Sequence, residues 1–183
     1  YVLAACLALM ISLGFGGYGL YFSQESLVSI DVNPSIELGI NRYSRVISIT
    51  ARNAEADQIV NSVDVRNKTY TDVVTALVSG GGLEPYLTND AYMLFTVQTK
   101  NTGRQEELLR TLQEAADTAV LSHHQDARTE YYAVTEQTVN NAHQHGMTAG
   151  KYATLMELQQ VAPDIDISAY SHCSIGEIKG QIS

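Results

Sequence analysis

The chain has 183 residues, with 11 basic and 20 acidic side chains and a formal net charge of −9 at pH 7. An acidic surface of this kind repels nucleic acid and anionic lipid, so the composition argues against a nucleic-acid-binding protein. The two cysteines, Cys6 and Cys173, lie in such different surroundings that we expect no disulfide framework and no zinc site.

Residues 1–22 contain no charged side chain and have the apolar composition of a bilayer-spanning helix. A cleaved signal peptide would carry a basic leader, a shorter apolar run and a small-residue cleavage site. The sequence therefore predicts a membrane anchor, and we expect the protein to continue upstream, on the other side of the membrane. The acidic remainder is predicted to be extracytoplasmic in a single-pass protein of the cell membrane.

Residues 28–40 (VSIDVNPSIELGI) alternate strictly between apolar and polar side chains. Because side chains on a strand alternate faces with period two, this pattern predicts a half-buried β-ribbon with one apolar and one polar face. Pro34 cannot donate to a strand ladder, so it belongs at an edge, a bulge or a strand junction, and it biases Asn33 toward an extended conformation.

The rest of the chain alternates between strand and helix patterns. After a turn at 41–44, residues 46–51, 91–99 and 129–134 have strand patterns, while 57–65 is ambiguous between helix and strand. Helices are predicted at 71–79, ending at glycines 80–82, and from a capping box of Thr102 and Gln105 through an apolar stripe over 108–120. A weaker helix ends near His143. This order favours an α+β fold with a mostly antiparallel sheet and packed helices.

The C-terminal part has the pattern of a small helical unit. Thr148 precedes a helix that Pro163 ends, and Ser174 with Glu177 is predicted to cap a last short helix. We therefore predict three parts: a transmembrane helix at 1–22, an α+β domain at 23–146, and a helical subdomain or extension at 147–183.

Familiar catalytic and cofactor motifs are missing from the sequence. It contains no Gly-rich phosphate loop, nucleophile elbow or His-Glu-x-x-His pattern, so we predict no cofactor. His123 with His124 and His143 with His145 fall near predicted helix ends. Such pairs are typical of solvated helix termini, and no metal site is predicted.

The Asn33-Pro34 bond carries the sharpest chemical hypothesis. Because the nitrogen of Pro34 has no hydrogen, it cannot attack the Asn33 side chain. The opposite attack, by the Asn33 carboxamide nitrogen on its own main-chain carbonyl, would close a succinimide and release Pro34. Such a weak nucleophile needs proximity, a base or oxyanion donors, and Asp31, Ser35 and Glu37 are the candidate supporting residues. Physical chemistry alone favours a plainer interpretation, in which Asn-Pro is a turn signal beside a solvated polar face.

An apolar span followed within a few residues by SIDVNPSIELGINRYSRVIS resembles the juxtamembrane extracytoplasmic domain of RsgI-type anti-sigma factors, single-pass regulators of sigma-I-family sigma factors. The block DVNPSIELGINR is the most specific part, and MTAGKYATLMELQQ is similar to the Lys-Tyr helix of that family.

The resemblance implies a single self-cleavage at Asn33-Pro34, rather than turnover catalysis. It also implies a sigma factor held by an upstream cytoplasmic domain, fragments that stay associated until a signal separates them, and an intramembrane protease acting on the span. The alternative is a non-enzymatic, membrane-anchored binding or assembly domain that uses the polar stripe as a partner surface.

Overall fold

The computed structural model describes residues 2–80, 82–87, 91–123 and 126–182. The strands are β1 (Ser26–Asp31), β2 (Ser35–Ile40), β3 (Val46–Ala51), β4 (Tyr92–Thr99) and β5 (Arg128–Ala133). The α-helices are α1 (Val2–Tyr21), α2 (Ala54–Ser62), α3 (Tyr70–Val78), α4 (Gln105–His123), α5 (Glu136–Gln144), α6 (Ala149–Val161) and α7 (Ile175–Ile182). Short 3-10 turns cover Glu84–Tyr86, Thr102–Arg104 and Ile167–Tyr170.

The five strands form one sheet in the order β3-β2-β1-β4-β5, which places β1 at its centre. β1 pairs antiparallel with β2 and with β4, and β3 pairs antiparallel with β2. β5 pairs parallel with β4, and α4 forms the crossover between them, as a parallel connection requires. The α+β prediction is confirmed, and the sheet is mixed because of β5.

Residues 28–40 form a hairpin that is buried on both faces. One face of β1 and β2 presents Val28, Ile30, Ile36 and Leu38 to a core completed by α2, α3 and α4. The other face carries the polar residues and lies under α6, which contacts β1 and β4. The expected half-buried ribbon is therefore wrong: helices cover both sides of the sheet, and the polar side chains find partners on them.

The other predictions vary in outcome. The ambiguous segment 57–65 falls largely within α2, and the cap at Thr148 is confirmed, since its side chain accepts from the Lys151 amide. Pro163 follows the end of α6, and Ser174 and Glu177 form the predicted reciprocal cap of α7. The capping box at Thr102 is wrong, because Thr102 begins a 3-10 turn and α4 starts only at Gln105. The middle glycine of the predicted stop, Gly81, lies outside the described residues.

The first helix, α1, has 20 residues and meets the sheet at its C-terminal end. The Asn41 side-chain amide donates to the main-chain oxygen of Tyr21 at 2.8 Å, and the Tyr21 hydroxyl donates to the Asn67 side chain at 3.2 Å. None of the helices built from the described residues combines the length and apolar character needed to cross a bilayer. The transmembrane helix at 1–22 and the boundary at 146 both stay predictions.

Candidate functional site: the turn between β1 and β2

Three residues, Val32 to Pro34, connect the two central strands. The register brings Asp31 opposite Ser35, and the Val32 amide donates to the Pro34 carbonyl at 3.1 Å. Asn33 has a φ of 102°, a conformation that a residue with a Cβ rarely adopts. The expected extended Asn33 is therefore wrong, because a turn this short requires a reversal at that residue. Such backbone strain costs about 1 to 3 kcal/mol.

The Asn33 carboxamide is held at both of its polar atoms. Its Oδ1 accepts from Nδ2 of Asn53 at 2.7 Å, and its Nδ2 donates to the His172 carbonyl at 3.4 Å. Asn53 is itself fixed as the N-cap of α2, where its Oδ1 accepts from the Ala56 amide and from the Ser35 amide. One side chain thus connects the start of α2, the strand after the turn and the Asn33 carboxamide.

The C-terminal segment closes over the same turn. Lys151 on α6 is buried and donates from Nζ to the Ser171 carbonyl at 3.0 Å, next to the His172 carbonyl that Asn33 contacts. Burial lowers the pKa of Lys151, and the Asp31 carboxylate partly offsets that effect. A solvent-open cavity of about 410 Å³ remains beside Asn33, with Tyr86, Tyr92 and Glu177 in its lining.

Asp31, the last residue of β1, is fully buried. Its Oδ1 accepts from the Thr148 hydroxyl at 2.6 Å, while its Oδ2 has no hydrogen-bond partner. Burial raises the pKa of Asp31 to about 6, against the lowering effects of the Thr148 and Ser35 side chains and of Lys151. α6 can approach this closely because it has a glycine here: a Cβ on Gly150 would lie 2.9 Å from Oδ2. Asp31 therefore holds its proton to a higher pH than an ordinary aspartate does.

Ser35 and Glu37 follow on the same buried face. The Ser35 hydroxyl is buried without a hydrogen-bond partner, opposite Asp31 in the sheet. Glu37 forms an ion pair with Arg52, whose Nη2 lies 2.6 Å from Oε2. The Nε2 atom of His143 lies 3.1 Å from both carboxylate oxygens and 2.8 Å from Arg52 Nη2. Both Glu37 oxygens are thus engaged, whereas Asp31 keeps one oxygen unpartnered.

The structure brings the five sequence-predicted residues together at one end of the central hairpin and its polar face. Sequence reasoning missed the residues that hold them, which are Arg52, Asn53, His143, Thr148 and Lys151. The expectation of a solvated helix end is wrong for His143, which contacts a buried carboxylate; His124 lies outside the described residues. An Asn in front of a helix was the available signal for Asn53, but it depended on recognising 57–65 as helix.

Comparison with known proteins gives one consistent family. The family model for the anti-sigma factor RsgI-like central domain matches residues 25–157. Anti-sigma-I factor RsgI7 of Acetivibrio thermocellus is 24% identical over 177 residues, covering 96% of this chain and 32% of that protein. Anti-sigma-I factor RsgI of Bacillus anthracis is 29% identical over 126 residues, covering 68% of this chain and 28% of that protein.

The corresponding factor of Bacillus subtilis is 24% identical over 126 residues, covering 68% of this chain and 33% of that protein. The chain thus spans about a third or less of the length of these relatives. The family match includes all five strands, the turn at Asn33-Pro34 and the larger part of helix α6, which covers Asp31. Because that match extends over more than half of the chain, the protein belongs to the RsgI-type anti-sigma factor family, through its central domain.

Proposed function

We propose that this chain is the membrane-anchored, extracytoplasmic part of an anti-sigma factor, and that it cuts its own backbone once, between Asn33 and Pro34. The observation that carries the proposal is the state of Asn33. It combines a strained backbone with a carboxamide fixed at both polar atoms, directly before a residue whose nitrogen has no hydrogen.

The proposed reaction is an intramolecular acyl transfer. Nδ2 of Asn33 attacks its own main-chain carbonyl carbon and forms a C–N bond that closes a five-membered succinimide. The bond to the Pro34 nitrogen then breaks, and that nitrogen takes up one proton as a secondary amine. Nδ2 loses one proton in the same process, so the proton count balances. Water later opens the succinimide to a free C-terminus.

Two neighbours suit the needs of this step. The hydrogen bond from Asn53 to Oδ1 withdraws electron density from the carboxamide and makes its N–H more acidic. Asp31, with a pKa raised to about 6 and one unpartnered oxygen, is our candidate for the base that relays the proton from Nδ2 to Pro34. Arg52 and His143 both contact the Glu37 carboxylate. We therefore assign Glu37 a structural role, in which it stabilises the polar face of the sheet.

The two products would remain one folded unit. The N-terminal fragment would contribute β1, which is paired along its whole length with β2 on one side and with β4 on the other. Its apolar side chains Val28 and Ile30 are fully buried. Separation would therefore need a signal that removes this strand from the middle of the sheet.

α1 is the proposed membrane anchor. It carries no charged residue and exposes large apolar side chains to the solvent in this fold, namely Leu3, Leu7, Leu9, Met10, Tyr18 and Leu20. In the proposed pathway an upstream cytoplasmic domain holds a sigma factor. Loss of the outer fragment then exposes α1 to an intramembrane protease, which releases the sigma factor.

Intact mass under denaturing conditions tests the proposal. The purified chain is expected to separate into fragments 1–33 and 34–183, and the fresh N-terminal fragment should be one water lighter than its later, hydrolysed form. A contaminating protease would add water at once and give no lighter species. An undivided chain would instead favour the alternative, a membrane-anchored binding domain that does not cleave.

Variants of the two asparagines provide the controls. Asn33→Ala removes the nucleophile and should stay undivided with its fold intact. Asn53→Ala should slow division, while Asn61→Ala, which removes an exposed side chain of α2 that bonds only within its own helix, should leave the rate unchanged. Two fragments from Asn33→Ala with the junction after residue 33 would rule out the carboxamide mechanism.

A further inference from the structure

The basic side chains of this acidic protein are concentrated at one end of the sheet. Four segments meet there, at residues 23–25, 41–45, 64–69 and 100–104, and we call them the rim. The rim contains six of the 11 basic residues and only two acidic ones, Glu25 and Asp64. Its net charge is +4, so the remainder of the chain carries −13. The repulsion of anionic lipid expected from the overall composition therefore does not extend to the rim. The basic residues are Arg42, Arg45, Arg66, Lys68, Lys100 and Arg104.

Contacts between the segments place the rim around the end of α1. Asn41 and Asn67 both bond to Tyr21, and the Arg45 guanidinium donates to the Asn67 carbonyl at 2.7 Å. Arg104 pairs with Glu25 at 2.6 Å, which neutralises one of the two acidic residues. The first turn of α4, which follows Arg104, carries the acidic residues Glu106 and Glu107. The positive charge of the rim is therefore least opposed near Arg42 and Lys100.

Aromatic side chains accompany these charges. Tyr43, at the tip of the β2–β3 turn, is 58% exposed and stacks on Tyr21 at 6.3 Å, and Tyr21 in turn meets the ring of Phe22. Exposed Tyr beside Lys and Arg is the composition that a protein presents to the headgroup layer of a bilayer.

A cleft of about 290 Å³ lies between the last turn of α1 and the rim. Leu20 forms an apolar wall, and the exposed Arg42 and Lys100 line the cleft together with Ser23, Gln24 and Glu25. The Glu25 carboxylate is paired with Arg104. An apolar wall below two cations suits a phosphate headgroup with the first part of its acyl chain.

From these observations we infer that the rim docks on an anionic phospholipid surface, with the headgroup phosphate held between Arg42 and Lys100. The inference rests on the proposed membrane anchoring by α1, and it adds a defined contact between the folded domain and the lipid. It would hold the cleavage domain upright on the membrane, with the Asn33 turn at the far end of the sheet.

A single fluorescent probe tests this contact, because the chain contains no Trp. The full chain with Tyr43→Trp is reconstituted with brominated phosphatidylcholine vesicles, with or without phosphatidylglycerol. We expect the Trp emission to be quenched strongly only when phosphatidylglycerol is present, and the quenching to weaken as salt is added. The matched probe Leu121→Trp, equally exposed near the far end of α4, should not be quenched in either vesicle.

Charge reversal completes the test. Arg42→Glu with Lys100→Glu, in the Tyr43→Trp chain, should lower the quenching to the level of pure phosphatidylcholine. The control pair Arg110→Glu with Arg128→Glu makes the same change in charge away from the rim and should leave quenching intact.

Equal quenching in both lipids, or quenching unaffected by the rim variants, would overturn the headgroup contact. Flotation of the chain with vesicles distinguishes the loss of the rim contact from the loss of membrane anchoring by α1. A chain that floats with vesicles but shows no selective quenching refutes only the rim contact, whereas a chain that does not float refutes both.

Discussion

At the scale of single residues, the turn and its surroundings carry features that ordinary sheet residues avoid. Asn33 has a positive φ, and Oδ2 of Asp31 and the hydroxyls of Ser35 and Thr96 are buried without hydrogen-bond partners. Buried polar atoms are nearly always paired, so each unpaired one costs stability. Two of the residues with such features, Asn33 and Asp31, are residues that our mechanism uses.

Asp31→Asn tests this cost. The pKa of Asp31 is about 6 in the folded protein and 3.8 ordinarily. Between these values the folded protein keeps a proton that the unfolded chain has released, so stability falls as pH rises through this window. Above pH 6 the free energy of unfolding is lower by on the order of 3 kcal/mol than it is below pH 4. An Asn side chain carries no charge, and its carbonyl oxygen can still accept the hydrogen bond from the Thr148 hydroxyl. We therefore expect Asp31→Asn to be the more stable protein above pH 6, with the difference vanishing below pH 4.

Urea denaturation measures that difference, in an Asn33→Ala background that keeps every chain continuous. The same pH dependence with and without Asp31 would show that its carboxylate does not ionise as we argue. With Asn33 restored, Asp31→Asn should slow cleavage sharply, whereas Glu37→Gln, which removes a charge from the same face, should leave a protein that still cleaves.

At the scale of elements, the central position of β1 would decide how firmly the proposed N-terminal fragment is held. Its six residues pair with β2 and with β4, and its apolar face enters the main core. An edge strand would have one ladder only. The strand that the proposed cut would free is therefore one of the three interior strands, each of which pairs on both sides.

Ile30→Ala should loosen this strand. The side chain is fully buried, so its truncation is expected to cost about 2 to 5 kcal/mol. We expect the variant to shed the outer fragment and to switch on a sigma-dependent reporter without any stimulus. Leu112→Ala, an equally buried change in α4 within the outer fragment, should destabilise the domain without weakening β1 directly.

The same change in an Asn33→Ala background should be silent, because the chain remains covalently continuous. Equal reporter activity from Ile30→Ala and from the double variant would show that the break after Asn33 has no part in transmission.

At the scale of the whole molecule, the site exists only when distant segments have come together. Asn33 is held by Asn53 from the start of α2 and by His172 from the C-terminal segment, while Asp31 is held by Thr148 at the start of α6. These contacts span up to 139 positions along the chain. Cleavage should therefore follow folding of the complete domain.

Refolding kinetics test this dependence. An uncut chain captured early and kept in urea should stay intact, because the denaturant removes the contacts that strain and orient Asn33. After dilution it should divide at a rate independent of protein concentration. A rate that rises with concentration would indicate one chain, or a trace protease, cutting another.

The sequence predicted this site better than its surroundings. Alternation over 28–40 identified the strands, and the Asn-Pro dipeptide marked the turn. An alternating sequence pattern is the same whether the polar face of a strand is exposed to water or covered by a helix. The burial of Glu37 could therefore be recognised only from the structure, in which Arg52 and His143 contact it. The conformation of Asn33 escaped prediction for a similar reason, because the local preference before proline is overridden by the register that sets Asp31 opposite Ser35.

The direction of β1 has a mechanical consequence. α1 leaves the sheet at the Ser26 end, while α7 packs near Tyr92 and the Asn33 turn at the other end. A load applied between these two helices would act along β1 and place its two ladders in shear, so that their hydrogen bonds bear force together instead of opening one by one. A strand loaded in this way resists weak or brief forces and then slips free within about one residue spacing, roughly 3.3 Å. The cut domain would respond as a threshold device, silent below a critical force and fully open above it.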